Sequence, residues 1–81
     1  MPTVLRVGPY RFYFYSHEPN EPPHIHVDRD RSPAKFWLES TYLASNIGFG
    51  ARELRKLQNI VEANQKQLLE AWNVHFGNPN G

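Results

Sequence analysis

The chain has 81 residues, 40% of them hydrophobic and 14% aromatic, with a formal net charge of +1. That length predicts one small domain with a modest core, and that apolar content favours folding over disorder. It contains no cysteine, which excludes disulfides, thiolate metal sites and cysteine nucleophiles, and the charge alone is too weak to imply nucleic acid.

In chain order, the first half reads as strands. "TVLRV" (3–7) is β-rich and stops at Gly8-Pro9, a turn dipeptide. "YRFYFYS" (10–16) runs back, giving a first hairpin. Residues 17–23 hold three prolines and no periodicity, so they form a loop. "HIHVDRD" (24–30) alternates, "DRSP" (30–33) is turn-like, and "AKFWLES" (34–40) alternates again to close a second hairpin. "TYLASN" (41–46) is a short strand or an extended link.

After Gly48 and Gly50 the apolar period becomes helical: Leu54, Leu57, Val61, Leu68, Trp72 and Phe76. Asn64 followed by Gln67 fits a capping box, so the segment is one kinked helix or two short ones. Gly77 stops it, and residues 78–81 read as a flexible tail behind a single domain over 1–77. The expected fold is α+β: a small antiparallel sheet of three to five strands, then helix packed on one face. No apolar run is long enough to span a bilayer and no leader pattern is visible, so the expectation is a soluble cytoplasmic protein with no membrane association.

Side chains alternate faces along a strand. Phe12, Phe14, Ile25, Val27, Ala34, Phe36 and Leu38 therefore share the face toward the helices. The other face receives Arg11, Tyr13, Tyr15, His24, His26, Asp28, Lys35, Trp37 and Glu39. One helical stripe covers one face only, so the second is expected to stay open. Tyr and Trp exposed together mark binding surfaces, with Tyr15, Trp37, Lys35 and Arg31 as candidate binding residues. The plainer alternative is cross-strand pairing that stabilises the sheet.

Three readings of His24 and His26 stay open. Residues two apart on a strand lie about 6.5–7 Å apart, so both imidazoles and Asp28 can present ligands to a divalent transition metal. Alternatively, the two histidines perform acid–base cleavage of RNA. One takes the 2′-hydroxyl proton and the other protonates the leaving oxygen. Tyr13 lies nearby, and Arg11 or Arg31 stabilises the phosphorane charge. Third, either histidine hydrogen-bonds loop carbonyls and pins 17–23 to the sheet, with Glu18 and Glu21 as natural partners. Arg52, Arg55, Lys56 and Lys66 give the helical segment a basic side, read first as solubility. His75, in the last turn, suits the helix dipole.

The runs "FYFYSHEPNEPPHIHV" (12–27), "AKFWLE" (34–39) and "LLEAWNVHFG" (68–77) resemble a family of small bacterial proteins catalogued as a domain of unknown function. The shared pattern is an aromatic strand, a Pro-Pro-His-x-His-Val motif and a Leu-Leu-x-x-Trp helix. Many relatives carry an aromatic residue where Ile25 stands. The resemblance implies His24 and His26 as the motif histidines. It also implies a gene beside a second small protein, an arrangement like a toxin–antitoxin pair. The expectations are thus an RNA-cleaving toxin, a protein-binding module gripping a small partner protein, or a small metal-binding protein. An edge strand at 3–7 would allow a homodimer.

Overall fold

The structure is a computed structural model that describes residues 3–15 and 21–77. Five strands, β1 (Thr3–Val7), β2 (Tyr10–Tyr13), β3 (His24–Arg29), β4 (Ser32–Trp37) and β5 (Leu43–Asn46), precede two helices, α1 (Ala51–Ala63) and α2 (Gln65–Phe76). The sheet is an antiparallel meander in the order β1-β2-β3-β4-β5. This is the α+β fold expected, with two helices rather than one kinked helix. No helix among the described residues is long and apolar enough to cross a membrane.

The apolar alternation sets the core. Phe12, Phe14, Ile25, Val27, Ala34, Phe36 and Leu38 are all buried against Leu57, Val61, Leu68 and Trp72 of the helices. Each fully buried large side chain contributes about 1.5–3 kcal/mol relative to exposure. Tyr10, on the same alternation as Phe12, and Phe49, from the turn before α1, join that core.

β2 is shorter than expected. Its ladder with β3 runs from Arg11↔Asp28 to Tyr13↔His26 and goes no further. Phe14 is instead drawn to α2, where its ring meets Trp72 at 5.4 Å and Phe76 at 6.0 Å. The β3–β4 hairpin is tighter than "DRSP" suggested. Arg29 pairs with Ser32, leaving Asp30 and Arg31 as the turn, and Asp30 takes φ 57°. Pro33 therefore lies inside β4. Its carbonyl accepts from the Ile47 N–H at 3.0 Å, so its missing N–H would also point toward β5, beyond that strand's last residue. The bond Pro33 cannot return is therefore confined to the end of the ladder, where proline is tolerated.

β4 ends at Trp37, and the Leu38 N–H donates to the Pro23 carbonyl at 3.0 Å, tying the end of the proline segment to the sheet. Asn46 closes the turn before α1 from both sides: its Oδ1 accepts from the Phe49 N–H and its Nδ2 donates to the Phe49 carbonyl. Gly48 sits in that turn at φ 98°, where an added Cβ would lie 2.6 Å from the Ser32 hydroxyl.

The expected capping box does not form. Asn64 makes no side-chain cap bond to α2. Its Nδ2 turns back to the Ile60 carbonyl at 2.8 Å, satisfying the end of α1 instead. α2 is fixed by Gln65, whose Nε2 donates to the carbonyls of Leu38 and Glu39 at 2.7 and 2.9 Å.

Candidate functional site

The registers of β2, β3 and β4 build three rows on the face opposite the core. Arg11 stands beside Asp28, Tyr13 beside His26 and Lys35, and His24 beside Trp37. Tyr15, past the end of β2, reaches the same cluster. Arg31 does not. It is exposed at the hairpin tip, past the Arg29↔Ser32 pair that ends the β3–β4 ladder five residues from His24↔Trp37, and so beyond roughly 17 Å from that pair.

His26 is half-buried between two tyrosines. Its ring stacks on Tyr13 at 5.5 Å and 22°, and meets Tyr15 edge-on at 4.3 Å. Tyr13 is only 3% exposed. Its hydroxyl donates to Asp28 Oδ1 at 2.9 Å, and the Arg11 guanidinium lies 4.8 Å over its ring. Burial, then hydrogen bonding with Tyr15 and Asp28, pushes the Tyr13 hydroxyl well above its ordinary pKa of 10. Tyr13 thus keeps its proton and acts as a donor.

His24 is the departure from expectation: it has 0% exposure. Trp72 of α2 closes over it at 4.9 Å, Trp37 lies at 5.9 Å and His26 at 5.0 Å. Its Nδ1 is 2.8 Å from the Pro22 carbonyl. A carbonyl only accepts, so Nδ1 carries the proton. The sheet face is therefore open in part: His24 and Tyr13 are covered, while Tyr15 is 42% exposed and Trp37, His26 and Lys35 are half-buried.

Lys35 lies 4.8 Å over the Trp37 ring and also pairs with Glu21, the residue expected to serve a histidine. Glu18 and His17 lie outside the described residues. Among the described residues no three His, Asp or Glu side chains form a group that could hold a metal ion, and this includes His24, His26 and Asp28.

A second polar cluster, marked by no sequence motif, lies where β2 begins and β3 ends. Glu53 of α1 accepts two bonds from Arg29, at 2.6 and 2.9 Å, and one from the Tyr10 hydroxyl at 2.8 Å. The Arg29 hydrogen bonds, followed by that from Tyr10, hold the Glu53 carboxyl below its ordinary range. Three residues from three separate elements meet here, which no local pattern signals. Likewise nothing in the Trp72 stripe indicates that its ring reaches His24.

The family described as a domain of unknown function, DUF4160, matches residues 10–73, more than half of the chain. No curated protein and no solved structure matches.

Proposed function

The chain belongs to the DUF4160 family, a domain whose description states no activity, and we propose that it is a non-enzymatic binding module. It would act through the sheet face that Tyr15, His26, Lys35 and Trp37 form, gripping the small protein encoded beside its gene. The observation that carries this reading is the contrast between the two motif histidines. His24 is fully buried and spends Nδ1 on the Pro22 carbonyl, whereas His26 is half-buried beside Tyr15, which is 42% exposed. Two-histidine RNA cleavage needs both imidazoles to exchange protons with substrate. Buried His24 supports a clasp that shapes the surface, and the Tyr13 hydroxyl, buried, is already donated to Asp28.

The chemistry suits a protein partner. Tyr and Trp side chains bring large area at low entropic cost, and such anchors dominate interface energetics. Lys35 over Trp37, offset by Glu21, adds polar groups at the rim. The test is co-expression of this chain with the adjacent gene's product. Native chain and His26→Asn should co-purify the partner, and Trp37→Ala and Tyr15→Ala should lose it. Co-purification that survives Trp37→Ala but fails with His26→Asn would sink the reading. For the RNA-cleaving toxin, the discriminating assay is host growth on induced expression. Arrest by the native chain, relieved by equally soluble His26→Asn, would restore the toxin.

A further inference from the structure

A second surface, on the helix side of the sheet, is unrelated to the His-x-His face. Arg52, Arg55, Lys56 and Asn59 follow the i, i+3, i+4, i+7 spacing of one helical face. They border a groove of about 450 Å³ between α1 and the end of β1, with Val7 and Ile60 in its floor. β1 is an edge strand, so the groove is open along that side.

The charge in this groove is compensated only in part. Glu53, the nearest acid in sequence on α1, attracts Lys56, but its carboxylate oxygens accept their hydrogen bonds from Arg29 and Tyr10. Lys56 lies 5.6 Å over the Tyr10 ring. Among the described residues, neither Arg52 nor Arg55 has an ion pair or hydrogen bond. A run of cations on a helix is ordinarily a solvated face, but here it flanks an apolar floor.

We propose that this groove docks an acidic peptide segment of a protein partner, its carboxylates on Arg52, Arg55 and Lys56 and an apolar side chain over Val7 and Ile60. Charge complementarity sets the sign of the occupant. The floor selects the class. A phosphodiester backbone would cover Val7 and Ile60 with nothing apolar, and the nearest ring, Tyr10, is buried and offers no stacking platform. The net charge of +1 is also far below that of a general nucleic-acid binder.

The experiment is fluorescence anisotropy with a short labelled peptide alternating glutamate and leucine. A glutamate–serine peptide, a lysine–leucine peptide and a short oligouridylate serve as comparison probes. The glutamate–leucine peptide should bind saturably, weaken with salt, and bind about fivefold worse to Arg52→Ala/Arg55→Ala. Both positions are exposed and alanine is the best helix former, so the fold should hold. Arg55→Gln, with about a twofold loss, gives a second variant. Trp37→Ala should bind this peptide as the native chain does, which separates the groove from the sheet face. Absence of binding, equal binding of the glutamate–serine peptide, or tighter binding of oligouridylate with the same arginine dependence would each overturn the proposal.

Discussion

His24 donates from Nδ1 to the Pro22 carbonyl at 2.8 Å, in a position with no exposed surface. This one contact ties the proline segment to the first residue of β3. Removing the ring leaves a cavity between Trp37 and Trp72 and an unpaired carbonyl. His24→Ala should therefore lower the unfolding free energy by about 2–4 kcal/mol, read by urea denaturation. His26→Ala, at a half-buried position, should cost about 1 kcal/mol or less. Equal effects would mean that the two histidines are not divided as described.

The Arg29–Glu53–Tyr10 cluster makes a pH prediction. Glu53 has its folded pKa below the ordinary 4.5, chiefly through Arg29 and then Tyr10. A lowered carboxyl pKa contributes stability that is present above the unfolded value and lost as pH falls through the folded one. The native melting temperature should thus drop on acidification below about pH 4.5. Glu53→Gln should melt lower at neutral pH and show a shallower acid slope, measured by thermal unfolding across that range.

Gly48 combines a positive φ with a backbone pressed on Ser32. Gly48→Ala should destabilise by about 1–3 kcal/mol, since it adds both left-handed strain and a clash. Gly8→Ala, at φ 56° but with open space around it, should cost only the backbone share, about 1 kcal/mol. Paired chemical denaturation curves separate the two terms.

Gln65 anchors α2 to the end of β4 through two carbonyls. Gln65→Ala should cost about 1 kcal/mol. It should also speed amide hydrogen exchange in the first turn of α2 more than in α1. Uniform acceleration across both helices would contradict that anchoring role.

Much of the fold was legible because its signals are local. The period-two alternation in "HIHVDRD" and "AKFWLE" placed Ile25, Val27 and Phe36 in the core, and the 3.6-residue stripe placed Leu57 through Trp72 over them. Asn64 misled because an N-cap and a side chain closing the preceding helix look alike in sequence. The candidate site was legible in its rows but not in its depth. Alternation put His24 on the outer face, but the ring of Trp72, from α2, packs on it at 4.9 Å and joins Trp37 and His26 in burying it. Glu53 was hidden for the same reason, since its partners lie on β2 and β3, far away in the chain.

The proposed binding module has this sheet face supply aromatic contact rather than histidine chemistry. The measurement that tests it is the dissociation constant, by calorimetry, of the proposed complex with a small partner protein, for native chain, Trp37→Ala and His26→Asn. The account predicts a loss of about thirtyfold for Trp37→Ala and about threefold or less for His26→Asn. The opposite ranking, with both variants folded, would contradict it and return His26 to the centre of the function.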